Sequence, residues 1–502
     1  MIEKIKPLFS YWFTIAVCII IAISTLLRFY NFENRWGFAN DQARDVIVAR
    51  EALALHKLPL IGPFSSAGQF VYGPQWLWIL MLFIIVNPKW ILWPWIVQAF
   101  LYVLSVGAII AIGKKIEGRI FAVIVGLLAA VSPAQISHAT NLTSPSMVGF
   151  LSMIIVLLFI YTISDRKKWH SFVLGFFITS AVMVHFQAIG LLVLLPLSLL
   201  FGEKTKSRIF LLLLGAFLPL MPLMYFDVTN NFFETRGILD YYFHGQYNIY
   251  VPNRWLTYIG VFWPGAWARI VGGEKLFSVL IMLFFLCSII FQLKRHARFK
   301  KEWIALFVGF FLMFVMFRYY RGIRYDGYIV FLHPFILLFT GWTVVQIIKT
   351  KFYLGVVFLC LLIFGGLKMS LHDINTATNT MYGLTNRWIR LFDNTYPQNK
   401  YTMFDYKYTA IGFTMPLVLV LDYKNKIDSD GYGVGLSYFE ELPPINKNIK
   451  LQYSEIIGNR KVLSFFDVNN ASKQFLANNS WALVTPETVY MTTVEWYKEK
   501  KL

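Results

Sequence analysis

Charge is scarce in this chain, and acid is scarcest of all. Only 15% of its 502 residues are Asp, Glu, Lys or Arg, and 27 carboxylates face 46 Lys and Arg side chains. An ordinary soluble domain carries about a quarter charged residues, so a surface turned wholly to water is excluded. Cysteine is almost absent. Cys18, Cys287 and Cys360 each lie inside an apolar run, and none stands at metal or redox spacing, which excludes a disulfide framework and a thiolate metal site. No internal repeat is visible. No small-residue cleavage site follows the first apolar run, so that run reads as an uncleaved helix rather than a removed signal peptide.

Hydrophobic residues make up 57% of the chain, aromatic residues 18%, and the mean hydropathy is +0.56. A fold in water has no place for so much apolar surface, whereas lipid solvates it and Trp and Tyr favour the headgroup level. The net charge of +19 raises the question of nucleic acid. The excess, however, sits in short loops between apolar runs, where it acts as a topology signal.

Apolar runs at 11–29, 90–112, 120–131, 147–163, 169–184, 188–201, 209–226, 276–293, 303–317, 328–348 and 352–368 predict about eleven spanning helices. Basic clusters recur at every second loop: Lys4 and Lys6, Lys114-Lys115, Arg166-Lys167-Lys168, Lys204 to Arg208, Lys294 to Lys301, and Lys349 with Lys351. The alternation puts them, and the N-terminus, in the cytoplasm. An odd number of spans then puts the C-terminus outside. Residues 76–86, bounded by Pro74 and Pro88, are too short to cross and read as an interfacial or re-entrant piece, as do residues 255–267. The expected protein is an all-α polytopic module over 1–369, with a large first outer loop at 30–89. From 370 to 502 the long apolar runs stop, and a small extracytoplasmic α/β domain is expected. Its strands are predicted at 414–421 and 461–466, with a turn at 428–433. Long, varied loops carry function, so the work is expected on the outer face.

The first outer loop opens with Phe38-Ala-Asn-Asp41-Gln-Ala-Arg44-Asp45. Asp41 and Asp45 are four apart and share one face of the predicted helix. Carboxylates beside a membrane are costly without a purpose. The plainer reading is that Asn40 or Asp41 caps the helix while Asp45 pairs with Arg44 or Arg50. Arg318, Arg321 and Arg324 lie with Tyr325 between two spans on the outer side, against the inside-positive trend. They are placed either to bind phosphate or to reach outer headgroups. His138 and Asn141 share one outer loop, and His185 and Gln187 lie at the outer end of a hairpin of spans. Tyr241, Tyr242 and His244 are placed to line a groove or to form an interfacial belt. His333-Pro334 falls inside a predicted span, where Pro334 would kink the helix.

The order of short motifs resembles a known superfamily. An N-terminal span is followed by Asp-x-Ala-x5-Ala from Asp41 to Ala49, then Leu60-Ile-Gly-Pro63 and Gly73-Pro74-Gln-Trp76. Gly113-Lys-Lys-Ile-Glu-Gly118-Arg119, Ser132-Pro133 and Asn141-Leu-Thr-Ser-Pro145 come after. This is similar to the GT-C membrane glycosyltransferases, in particular the bacterial branch of protein O-mannosyltransferases and aminoarabinose transferases, over roughly residues 8–350. Two departures stand out: Gln42 follows Asp41 where the branch often has Glu, and the later outer loop offers His138 and Asn141 where a second acid is common. The resemblance implies a sugar donor on polyprenyl phosphate and an acceptor hydroxyl on a lipid, a glycan or a protein. It also implies transfer with inversion. Asp41 and Asp45 would then be catalytic, and Arg44, His138, Asn141, His185, Gln187, Arg318, Arg321, Arg324 and Tyr325 would contact substrate. No metal ligands are assigned, although a divalent metal remains possible. Competing readings are a transporter or flippase of lipid-linked saccharides, and a polymerase or ligase of lipid-linked glycans. The clean apolar spans and missing internal repeats argue against the transporter.

Overall fold

The computed structural model describes residues 6–165, 167–248, 254–272, 275–294, 299–320, 325–395, 400–439, 448–457 and 461–499. Among these, seven helices are long and apolar enough to cross a membrane, beginning with Tyr11–Phe29 and Trp93–Glu117. Their sequence explains them. Each is rich in Leu, Ile, Val and Phe, and its helical backbone bonds largely to itself where lipid offers no partner. Several shorter apolar pieces complete the set. Trp169–Val184 has 16 residues and is followed by a 3-10 turn, Phe186–Val193, and the helix Leu194–Phe201. The predicted run 209–226 is interrupted by the 3-10 turn Leu218–Leu220, where Pro219 and Pro222 follow each other closely. The architecture expected from the sequence, a polytopic helical protein with a small α/β part, is what the chain adopts.

By internal contacts the chain forms two compact units. The first comprises residues 1–35, 64–76 and 95–377; the second comprises 36–63, 77–94 and 378–502.

In the first unit the helix Arg119–Val131 breaks at Ser132 and continues at 54° as Pro133–Thr140. A broken helix end in an apolar surround leaves carbonyls without partners. Here they are met. Arg28 is fully buried; its Nη1 donates to Ala130 O at 3.2 Å and its Nη2 to Ala129 O at 3.3 Å. Nη1 also bonds Ser24 Oγ at 2.8 Å, and Ser370 Oγ donates to Val131 O at 3.0 Å. Ser132 Oγ caps the new helix at Gln135 N and also donates to Ile270 O. Nearby, Gly272 takes a left-handed φ of 75°, and a side chain there would lie 2.1 Å from Gly366 Cα. Pro334 does not kink a helix as predicted. It sits in the first turn of His333–Thr350, directly after the 3-10 turn Asp326–Leu332, a position where its missing N–H costs nothing.

The second unit holds a five-stranded sheet in the order β3-β4-β2-β1-β5, with β1 at Tyr401–Tyr406, β2 at Tyr432–Phe439, β3 at Lys450–Ile456, β4 at Val462–Asp467 and β5 at Trp481–Val484. β1 and β2 are parallel, with Tyr401 opposite Tyr432, and the other pairings are antiparallel. A parallel pair needs a crossover, and the helix Ile411–Tyr423 supplies it. The strand predicted at 414–421 is therefore corrected to a helix. A short run that is buried on every side carries no usable period, and Pro416 already argued against a central strand. β4 agrees with the strand predicted at 461–466. Phe404, Phe466 and Trp481 fill one face of the sheet, while Trp388 and Phe392 of the helix Thr380–Thr395 pack on Phe465 and Tyr401. Asp405, buried on β1, accepts from Thr414 Oγ1 at 2.7 Å and Ala410 N at 3.2 Å, and burial lifts its carboxyl to about 6.

The helix Asn40–Ala54 belongs to this second unit. Ala43, Val46, Ile47, Val48, Ala49 and Ala52 are wholly buried, against the helices Ile411–Tyr423 and Pro486–Tyr490. Arg50 Nε meets Asp422 Oδ2 at 2.6 Å with its guanidinium 3.8 Å from the centre of the Tyr423 ring, and Lys57 pairs with Glu495 at 3.3 Å.

Replacing Arg28 with Leu leaves the Ala129 and Ala130 carbonyls without these donors. Each stranded carbonyl costs about 1–3 kcal/mol. Thermal unfolding in detergent is expected to show Arg28→Leu several degrees below the wild type, with Arg28→Lys between them. Equal midpoints for all three would remove this role from Arg28.

Candidate functional site

The sequence-predicted residues fall into separate groups. In the second unit, Asp41 lies in the first turn of Asn40–Ala54, where the helix dipole favours a carboxylate. It does not cap the helix: the capping position is Ala39, which makes no side-chain cap. Arg44 bridges the two acids. Its Nη1 donates to Asp41 Oδ1 at 3.1 Å, and its Nε and Nη2 donate to Asp45 Oδ1 at 2.9 and 2.8 Å. Asp45 is 5% exposed and Asp41 66% exposed. One carboxylate is thus buried as an anchor and the other is presented to the outside. Asp41 Oδ2 has no hydrogen-bond partner among the described residues. Arg50, the alternative partner for Asp45, pairs with Asp422 instead.

In the first unit, His138 lies on Pro133–Thr140, just past the break that Arg28 stabilises. Its Nδ1 is 3.0 Å from Ser146 Oγ, and its ring is 5.8 Å from that of His333, whose Nδ1 meets Gln135 Nε2 at 2.6 Å. Gln98 Nε2 donates to the carbonyls of His138 and Asn141 at 2.9 and 2.6 Å, so Asn141 takes part through its backbone as well. This is a buried polar network whose members are largely paired, and it holds the short helix in place.

His185 forms a different group, also in the first unit. Its ring is stacked between Tyr72 at 4.6 Å and Tyr328 at 6.0 Å. Its Nδ1 accepts from Gln187 N at 3.3 Å, and burial lowers it to about 4. It is therefore a neutral imidazole at physiological pH. Tyr325 packs edge-on against Tyr328 at 5.6 Å, and Tyr320 does the same at 6.2 Å. The Gln187 amide is buried, and neither of its polar atoms has a partner among the described residues. Such an amide is costly unless something hydrogen-bonds it. Tyr241 packs on Phe70, which packs on Phe186.

Glu234 borders this group and carries no sequence signal. It is 4% exposed, its Oε2 accepts from Val71 N at 2.9 Å, and burial raises its carboxyl to about 7. It fastens the short bridge Phe64–Val71 to the helix Phe233–Phe243.

Arg318, near the end of Lys301–Tyr319, is buried to 8% exposure with its guanidinium 4.4 Å from the centre of the Trp255 ring. Its Nε has no partner among the described residues. Arg321 and Arg324 lie outside the described residues. Among those described, no three His, Cys, Asp or Glu side chains come together as a metal-binding set, and Asp41 and Asp45 are bridged by a guanidinium instead.

The spans define a polytopic helical membrane protein, and comparison with solved structures gives a likeness of fold. The chain is similar to ArnT from Cupriavidus metallidurans bound to undecaprenyl phosphate, at a TM-score of 0.59 and 11% identity, over 92% of this chain and 99% of that one. The apo state of the same protein gives 0.57 and 12%, over 93% and 99%. The apo oligosaccharyltransferase of Archaeoglobus fulgidus gives 0.50 and 14%, over 83% and 64%. At these identities the likeness is one of fold. No protein-family model and no curated protein sequence matches the chain.

The raised carboxyl of Glu234 gives a sign to test. Stabilisation by the protonated acid is complete below its unfolded value near 4.5 and is lost as pH rises through about 7. Glu234→Gln keeps the shape and cannot ionise. Its unfolding midpoint, relative to the wild type, is expected to rise between about pH 5 and about pH 8, by at most ~1.4 kcal/mol per unit of the shift. A constant difference across that range would show that Glu234 does not titrate there.

Proposed function

We propose that the chain is a glycosyltransferase. It would take a sugar from a polyprenyl-phosphate donor and place it, with inversion, on an acceptor hydroxyl at the extracytoplasmic face. The observation that carries this reading is the Asp41–Arg44–Asp45 bridge. A carboxylate is held in the open by a guanidinium that is itself anchored on a buried acid. A capping residue needs no such support; a base that must receive a proton at a fixed place does. The GT-C fold adds to the reading, because the ArnT structure that shares it over nearly its whole length is bound to undecaprenyl phosphate.

The chemistry then needs two things. A sugar hydroxyl is a poor nucleophile until its proton is removed as it attacks. Asp41 Oδ2 takes that proton, the acceptor oxygen bonds to the anomeric carbon, and the bond from that carbon to the donor phosphate breaks on the opposite side. Charge grows on the departing phosphate, which leaves as polyprenyl phosphate. A guanidinium suits that charge, being permanently ionised and matched in shape. Arg318 is assigned this role: it is held by Trp255 and has an N–H to spare. Arg321 and Arg324 are assigned to the same phosphate on the sequence alone. Asp45 and Arg44 position Asp41. His185, Gln187 and Tyr325 offer hydroxyl, amide and aromatic groups of the kind that bind a saccharide, and His138 and Asn141 are assigned to substrate on the sequence alone.

Purified protein incubated with labelled polyprenyl-phosphate sugars is expected to transfer the sugar and release polyprenyl phosphate. Asp41→Asn is expected to lower the rate constant about 10²–10⁴-fold with the fold and lipid binding retained. Arg318→Ala is expected to lower kcat more than it raises KM for the donor, because the charge it meets grows in the transition state. Movement of intact labelled lipid across vesicles without transfer would support a transporter instead, and full activity of Asp41→Asn would overturn the assignment of the base.

A further inference from the structure

A cavity of about 650 Å³ opens in the first unit between the helices Lys275–Lys294, His333–Thr350 and Phe352–Thr376. Its volume lies in the range of small-ligand sites, roughly 300–1,000 Å³. The lining is graded. Phe284, Leu354 and Phe358 form one part, while Gln292, Gln346, Lys349 and Lys351 form the other, where two of these helices meet at a tight turn. Among the described residues no acidic side chain lines it. Among the described residues neither lysine has an acidic partner. Gln292 and Gln346 are bonded to each other at 2.8 Å, and whichever way the two amides face, one NH₂ group keeps a hydrogen to donate.

We infer that this cavity binds an anionic phospholipid of the surrounding bilayer, with its phosphate on Lys349, Lys351 and the glutamine pair and its chains against Phe284, Leu354 and Phe358. The charge selects the ligand. Two cations without an acidic partner among the described residues and a free amide donor call for a phosphate, and the apolar lining of Phe284, Leu354 and Phe358 calls for acyl chains on the same molecule. Basic recesses between spanning helices take lipid headgroups of this kind. A zwitterionic lipid would bring its own cation to the lysines. The inference rests on the membrane-spanning fold and is independent of the proposed transfer reaction.

Cys287 lines the cavity and is a free, exposed thiol, so it reports occupancy directly. The full-length protein with Cys18→Ala and Cys360→Ala keeps it as the single thiol. Reaction with an uncharged maleimide is followed in bilayers of phosphatidylcholine alone, with phosphatidylglycerol, with polyprenyl phosphate, and with inorganic phosphate in the buffer. Phosphatidylglycerol is expected to slow labelling about tenfold, and Lys349→Gln with Lys351→Gln is expected to abolish that slowing, each variant being compared with itself between lipids. Three results would overturn the inference: equal rates in phosphatidylcholine and phosphatidylglycerol, protection that survives the double substitution, or protection given by polyprenyl phosphate or free phosphate and not by phosphatidylglycerol. Unfolding midpoints of the variants in phosphatidylcholine show whether the cavity is still formed.

Discussion

The backbone at Ser132 has to be paid for, because a helix that ends inside an apolar surround leaves polar groups that lipid cannot satisfy. Arg28 answers that constraint with two donors on consecutive carbonyls, and Ser370 answers the third. Three segments far apart in the chain, the first span, the broken helix and the last long span, are fixed at one point as a result. The short helix that follows can then carry His138 to Ser146 and place its carbonyl before Gln98. A single buried arginine that meets no acid among the described residues looks wasteful in a protein so poor in charge. Its four oxygen acceptors, Ala129 O, Ala130 O, Ser24 O and Ser24 Oγ, are what let the chain fold around it.

The bilayer-spanning character of the chain was legible because lipid imposes a length and a composition on every crossing. The same reasoning reached its limit where a segment is buried on all sides. Residues 414–421 read as a strand because valines and leucines alternate there, yet they form a helix wedged between a sheet and other helices. Arg28 could not have been found: one arginine at the end of an apolar run is indistinguishable from an ordinary interfacial anchor. Asp41 was visible through its position, as an acid directly after the first span. Its tie to Asp45 through Arg44 was only one of several pairings the spacing allowed, since Arg50 stood equally near in sequence. Glu234 and Tyr72 carried no signal at all, because their roles come from neighbours that the chain brings in from elsewhere.

The candidate base also belongs to an unexpected part of the molecule. Reading along the chain, the first outer loop is an appendage of the membrane module. In the folded protein its helix is packed into the second unit, against the crossover helix of the sheet, with Arg50 held by Asp422 and Tyr423. The polar C-terminal part is thereby the support on which the carboxylate stands. That gives the sheet domain, which shows no motif of its own, a physical reason to be present.

This arrangement has a consequence for biosynthesis. The helix bearing Asp41 leaves the ribosome early, but Asp422 and Glu495, which grip it, are made last; Lys57 and its partner are 438 residues apart. At the usual pace of translation the interval is roughly tens of seconds. Throughout that time the acid sits on a segment without its scaffold. The helix gains the Asp422 and Glu495 contacts only when the final stretch of polypeptide has been made, so a nascent or truncated chain holds Asp41 without them.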